Sequence, residues 1–504
     1  MMLGSSIWLW LGLAWTVAWV DHVAAATNGS WSMPWLDDYL PDAESYRVTG
    51  PIYDFFFYPD VQAIVEKSYA GYINVGPYSD PSVVSNLFFW YFPAEIETNE
   101  LVVYLNGGPG CSGMVGLFKV NGPISYDNWD FFPNPYSWHK KAHVVYVDQP
   151  FFTGLSYSNT ANYAKNEFQV SQAMYTFLRR FLYIFKDLQG ARVHLAGESF
   201  AGQYLPFLYN TIQVRNQALR GASSWMSTFA ELIAQYIPGY TFTAVPNDSG
   251  IINLGALLVM SPWFSPREQY MSNLPFILQF QSEFGFDDYD IQYLTQIQAA
   301  CQNQVSLNEK TYIDVCEAII GYVSAIFMGT TDRPQCMNAY NVQAGFKGVC
   351  TDTTTTGDLS LLIMANSAYF RAATHTDAEG SPAGFTPCSS PVQSALQVDG
   401  SGASRRIIEQ LLDSGNSIIL ASGAYDVISN HIGIQRALAG MTWGGETGFS
   451  ATASYANVTM SNGGTSTVVR DRGLTLIQVS DAGHYIPQDN GPAGYLILDQ
   501  VLAG

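Results

Sequence analysis

Apolar residues fall along this chain in short continuous runs rather than in strict alternation. Residues 101–105, 144–147, 193–196, 251–260, 417–421 and 474–479 are nearly free of charged side chains. Such runs predict strands buried on both faces, where both sets of side chains need apolar neighbours. Residues 68–75 and 86–92 predict two earlier strands, expected to pair antiparallel. Helical patterns lie between several strands; 172–185, for example, has apolar residues at helical spacing and is followed by Lys186 and the breaker Gly190. Strands alternating with helices predict an α/β fold on a mostly parallel sheet with helices on both faces. From about 266 to 388 that rhythm breaks. Helical segments are expected around 289–300 and 312–326, with a Thr-rich loop at 351–356, and five of the six cysteines fall here. This region reads as an inserted helical cap stapled by disulfides, because its own core is small. It divides a core of residues 27–265 from its second part, 389–504; a smaller insertion is expected over 215–249.

At 504 residues and 48% hydrophobic, the chain can bury a large core. A net charge of −20 argues against nucleic acid or anionic membranes as partners and suits acidic surroundings. Residues 1–20 carry no charged side chain, and the apolar stretch 7–20 is short for a membrane span. Ala24-Ala25-Ala26 then supplies small residues for cleavage, so residues 1–26 are expected to be a signal peptide, though the usual Lys or Arg is missing. No later segment reads as a transmembrane helix. Export makes the six cysteines readable as three disulfides of open connectivity. None sits in a CxxC or Cys/His pattern, so no metal is expected, and nothing calls for an organic cofactor. Asn28, Asn247 and Asn457 lie in glycosylation sequons.

The chemistry concentrates where strands end. Residues 193–196 run into Gly197-Glu198-Ser199-Phe200-Ala201-Gly202, a small-residue turn that can lift a serine hydroxyl above a sheet. The strict pattern wants Gly where Ala201 stands. Two later strands run into Asp426 and His484, at the edge where parallel sheets assemble their sites. A serine hydroxyl needs an imidazole to take its proton, and the imidazole needs a carboxylate to hold its tautomer. The chain order Ser199, Asp426, His484 is that of α/β-hydrolases.

With these residues assembled, the chain from about residue 68 onward resembles the secreted serine carboxypeptidases, of the α/β-hydrolase fold. The resemblance rests on Asn106-Gly107-Gly108-Pro109-Gly110-Cys111-Ser112, Asn134-Pro135-Tyr136-Ser137-Trp138 and Val147-Asp148-Gln149-Pro150, on the segment from Gly197 to Pro206, and on Ala482-Gly483-His484-Tyr485-Ile486-Pro487. It implies hydrolysis of C-terminal peptide bonds through an acyl-enzyme at acidic pH, with peptide or protein C-termini as substrates. Ser199, His484 and Asp426 would be catalytic, and the amides of Gly108 and Phe200 would form the oxyanion hole. Asn106, Gly107, Glu198 and Tyr485 would bind substrate, the first three holding its carboxylate. Cys111 would pair with Cys388; the other four could nest as Cys301–Cys350 and Cys316–Cys336, or pair otherwise. The protein is expected to be secreted, with a vacuolar or lysosomal lumen as the alternative.

Several positions depart from the family. Val120 stands where a second Glu usually partners Glu198, which should weaken carboxylate recognition, lower the Glu198 pKa, or both. Phe152 replaces a Gly and would narrow the nearby pocket, Ala424 and Ser429 flank Asp426 in place of an Asp and a Cys, and Met260-Ser261-Pro262 replaces Gly-Asn-Gly. Two other readings therefore stand beside the peptidase: a serine esterase or acyltransferase that needs no free carboxylate, favoured by Val120, and a secreted glycoprotein that keeps the fold only to bind.

Overall fold

The computed structural model describes residues 40–50, 58–76, 82–127, 130–160, 162–220, 250–307, 311–329, 338–346, 358–377, 384–397 and 403–504. The expected signal peptide, Asn28, Asn247, Cys336, Cys350 and the Thr-rich loop lie outside them. Among the described residues no helix is long and apolar enough to cross a membrane.

Ten strands make the main sheet: β1 (Tyr69–Asn74), β2 (Ser85–Phe92), β3 (Glu100–Leu105), β4 (His143–Val147), β5 (Arg192–Glu198), β6 (Leu254–Met260), β7 (Ile418–Gly423), β8 (Ser454–Thr459), β9 (Thr465–Asp471) and β10 (Leu474–Val479). A two-residue strand, Tyr157–Ser158, pairs with β2. Their spatial order is β1-β2-β4-β3-β5-β6-β7-β10-β9-β8. The six from β4 to β10 in that order run parallel, and the pairs outside them are antiparallel. The six apolar runs form these parallel strands, and the expected antiparallel β1–β2 pair is present. Strand β6 is shorter than its apolar run 251–260, since 251–253 precede it. Strands β8 and β9 were not expected; the exposure of β8 along nearly its whole length leaves no apolar signature to read.

Helix α1 (Glu167–Ile184) starts five residues before its apolar pattern, because the Asn166 side chain accepts from the Gln169 amide and caps it. Its Phe177 and Phe181 pack on Phe89 of β2, at ring-centroid distances of 5.9 and 5.6 Å. The opposite face carries Trp90, Tyr104, Ala196 and Leu258 in one cluster with Ile497 and Val501 of the C-terminal helix, Gly491–Ala503. Helices thus cover both faces, as continuous apolar strands require.

Helix α2 (Ala201–Leu219) follows β5 directly. After β6 come α3 (Pro266–Tyr270), α4 (Asn273–Gln279), α5 (Asp288–Leu307) and α6 (Asp314–Gly329), a helical region with its own apolar cluster around Phe276, Leu294, Ile319 and Val323. Cys301 of α5 is bonded to Cys316 of α6, at a Cα separation of 4.8 Å. The nested pairing of Cys301 with Cys350 and Cys316 with Cys336 is therefore wrong. The connection between α5 and α6 is short, so two fully buried cysteines fifteen residues apart face one another. Cys111 and Cys388 are bonded as the resemblance implies.

By compactness, residues 42–211 and 253–504 form one unit and residues 1–41 and 212–252 another. The described part of the second unit is held by Asn216, whose side chain donates to the Ile252 carbonyl and accepts from its amide, at 2.7 and 3.0 Å.

Candidate active site

Parallel β5, β6, β7 and β10 end at one edge of the sheet, and the candidate residues follow those ends: Ser199 after β5, Asp426 after β7, His484 after β10. Ser199 has φ +58°, a left-handed conformation that costs a non-glycine residue strain. Its amide donates to the Met260 carbonyl at 2.9 Å, and its carbonyl accepts from the amides of Gly202 and Trp263, each at 2.9 Å. The neighbours that cannot carry a Cβ are Gly197, where it would lie 2.3 Å from the Leu105 carbonyl oxygen, and Gly202, 2.6 Å from that of Trp263. The side chain of Ala201 is accommodated, fully buried, which explains the departure from the strict motif.

His484 and Asp426 are both buried, and the His484 Nδ1–Asp426 Oδ2 hydrogen bond is 2.9 Å. Asp426 Oδ1 accepts from the Ser429 amide at 3.2 Å. Burial alone would lower the His484 pKa, but the charge and hydrogen bond of Asp426, aided by Glu198 and Asp489, hold it above the ordinary value. The Ser199 hydroxyl makes no hydrogen bond to His484 in this structure; in unliganded sites this contact is commonly long and tightens on binding.

The glycine loop after β3 lies against the Ser199 turn. A Cβ on Gly107 would sit 2.6 Å from the Phe200 amide nitrogen and 2.8 Å from Ser199 Cβ. Gly108 has φ +110°. Among the described residues, the amides of Gly108 and Phe200 donate to no protein acceptor, while both residues line the same cavity as Ser199. The loop is held by Cys111–Cys388, by the Ser112 amide on the Pro387 carbonyl (2.8 Å), and by Asp148, which accepts from Ser112 Oγ (2.5 Å) and the Gly113 amide (2.8 Å). Burial pushes the Asp148 pKa up to about 6 against these donors.

Glu198 is buried beneath Ser199. Its Oε1 accepts from Asn106 Nδ2 at 2.7 Å and its Oε2 from the Tyr104 hydroxyl at 3.2 Å, so it does not cap the following helix. Asn106 Oδ1 in turn accepts from the Gly116 amide at 2.8 Å. Burial raises the Glu198 pKa to about 7, against the lowering effect of His484. Val120 contributes no second carboxyl; it is buried in the core cluster that holds Tyr104. Phe152 packs on Tyr163 at 4.7 Å and lies outside the cavity lining, at φ +72°, where a glycine would be unstrained.

Several supporting residues carried no recognised signal. Ser261, at φ +43° in place of an asparagine, donates its Oγ–H to the His484 carbonyl at 2.9 Å. Tyr340, far away in sequence, accepts the His484 amide at 2.7 Å and stacks on the half-buried Tyr485, rings 5.4 Å apart. Asp489 accepts from the Gly483 amide at 2.7 Å. Of these, Ser261 lay in a segment already noted as departing from the family and Asp489 lay close to the His484 motif; Tyr340 had no such signal. The sequon residue Asn457 lies exposed on β8. No cluster of metal-ligating side chains occurs among the described residues.

The family model for serine carboxypeptidases matches residues 59–504. The chain is 29% identical over 435 residues to the pheromone-processing carboxypeptidase kex1 of Aspergillus niger, covering 84% of this chain and 65% of that protein. To the KEX1 of Uncinocarpus reesii it is 30% identical over 450 residues, covering 86% and 65%. The chain thus spans less than two thirds of the length of these relatives. The crystal structure of the Saccharomyces cerevisiae prohormone-processing carboxypeptidase Kex1(delta)p superposes with a TM-score of 0.74 at 24% identity, covering 92% of this chain and 97% of that one, which shows a shared fold.

Proposed function

The chain belongs to the serine carboxypeptidase family, and from that premise we propose that it removes C-terminal residues from peptides through an acyl-enzyme at acidic pH. In this reading Ser199 Oγ attacks the scissile carbonyl while His484 Nε2 takes its proton. Asp426 holds Nδ1–H, so His484 presents the correct nitrogen and its cation is stabilised. The amides of Gly108 and Phe200 receive the developing oxyanion, donors worth about 3 kcal/mol each in the transition state. His484 then returns the proton to the departing amine. A water repeats the cycle on the acyl-enzyme, releasing the new C-terminus and restoring the Ser199 hydroxyl.

The observation that carries the exopeptidase reading is Glu198, a buried carboxyl hydrogen-bonded to Asn106 and directly preceding Ser199. Below about pH 7 it is protonated and can meet a substrate carboxylate without repulsion; above that it ionises. Glu198 and His484 act on each other, so the pH profile belongs to the pair. The buried Val120 favours the second reading, an esterase or acyltransferase, because it leaves one carboxyl where the family usually has two. Export through an oxidising compartment is supported by the two disulfides and the apolar leader.

Blocked dipeptides ending in a free carboxylate or its amide, assayed from about pH 4 to 8, test this. Free acids should be preferred at least about tenfold at low pH, with the preference fading above about pH 7. Equal cleavage of acids and amides would favour the second reading. Failure of an organophosphonate to label Ser199 would leave only a binding protein.

A further inference from the structure

A cavity of about 130 Å3 opens beside Ser199. Its walls include Gly108 and Phe200, whose amides are the candidate oxyanion donors, together with Trp263, Tyr270 and Tyr312. Asn106, Gly107, Glu198 and His484 are absent from this lining. The cavity is thus walled neither by the group that would bind the terminal carboxylate nor by the base that would protonate the leaving amine. It faces the acyl side of the bond to be cut.

Among the lining residues, one side chain is charged: Glu317. It lies in the first turn of α6, next to the Cys301–Cys316 bridge that fixes that helix end. Its Oε1 accepts from the Tyr270 hydroxyl at 2.6 Å. Among the described residues, Oε2 has no hydrogen-bond partner and no Lys or Arg pairs with the carboxylate; the other ionisable group acting on it is Asp314, also acidic. Helix-terminal amides favour its ionised form, whereas burial raises its pKa, a penalty that a bound cation would relieve.

A half-buried carboxylate with no cation paired to it among the described residues, beside three aromatic rings whose faces attract positive charge, is the chemistry of a cation site. We propose that Glu317 determines acyl-side specificity, making the residue that donates the attacked carbonyl preferentially basic, arginine or lysine. The guanidinium or ammonium would pair with Glu317 Oε2 while its aliphatic stem lies along Trp263 and Tyr312. This rests on the proposed acyl transfer from Ser199 and adds the substrate class to it.

Nα-blocked arginine and citrulline provide the test, because citrulline keeps the shape and loses the charge. Each is assayed as a methyl ester and as a dipeptide ending in the same free leucine. Arginine should exceed citrulline in kcat/KM by at least about tenfold in both series. Glu317→Gln should bring the ratio to within about twofold, and Glu317→Asp should keep part of it. A wild-type ratio near one, or a ratio that survives Glu317→Gln, overturns the proposal; the wild-type ratio needs no variant to fold. Esters that show the ratio while the dipeptides stay intact would support this cation site and sink the carboxypeptidase reading. Dipeptides cleaved with a ratio near one would do the reverse. Absence of turnover in both series would overturn both.

Discussion

Glu198 is held between Tyr104 and Asn106 with almost no exposure, and burial sets its behaviour. Val120 removes a neighbouring carboxyl, which by itself would lower its pKa, yet burial holds the group at about 7. Its folded pKa is thus raised above the unfolded value. A carboxyl of this kind contributes fully below about pH 4.5, and its contribution is lost as pH rises through about 7. Glu198→Gln keeps the shape and cannot ionise. The variant should melt close to wild type at about pH 4.5 and become more stable than wild type by on the order of 3 kcal/mol at pH 8. Paired melting curves across pH check this, and a constant offset would refute it. The same variant should raise KM for free-acid substrates more than it lowers kcat, since Glu198 is assigned to binding.

At the scale of elements, the glycine loop shows how the chain's local signals are completed from elsewhere. The loop brings its own glycines to the Ser199 turn, but its position is set by Cys388, Pro387 and Asp148, all remote in sequence. Replacing both cysteines, Cys111→Ser with Cys388→Ser, removes a covalent tie across 277 residues. Chain-entropy reasoning puts the stability loss at up to about 5 kcal/mol. The expected catalytic signature is a fall in kcat of up to about 100-fold with KM little changed, because the Gly108 amide would lose its alignment. Thermal unfolding and steady-state kinetics read both; a fall confined to KM would contradict the proposed role of Gly108. The strand ends, the motif serine and the triad order were legible in sequence because buried parallel strands must be continuously apolar. The contacts of Ser261 and Tyr340 with His484 were not legible, since they join chain segments remote from it in sequence.

Across the whole molecule, buried titratable groups pull stability in opposite directions. Burial lowers the pKa of His139 to about 4 and also lowers those of His143, His194 and His431; each contributes stability above about pH 6.5 that is lost as pH falls. Asp148, raised by burial to about 6, and Glu198, raised to about 7, contribute stability below about pH 4 that is lost as pH rises. His484, with its raised pKa, adds to the loss at higher pH. The melting temperature should therefore peak between about pH 4 and 6.5 and decline on both sides. Calorimetry across pH 3 to about 9 checks this, and a monotonic rise toward pH 9 would contradict it.

The sequence by itself determined the parallel core, the strand-end positions of Ser199, Asp426 and His484, and the glycine loop, because each follows from a short-range rule. Apolar continuity marks burial on both faces, and small residues mark turns where backbone must approach backbone. Tertiary structure alone decided that Cys301 meets Cys316, that Glu198 is sealed by Tyr104 and Asn106, and that Glu317 stands among aromatic rings beside Ser199. Those outcomes depend on desolvation and on distance between remote segments, which only the packed chain fixes.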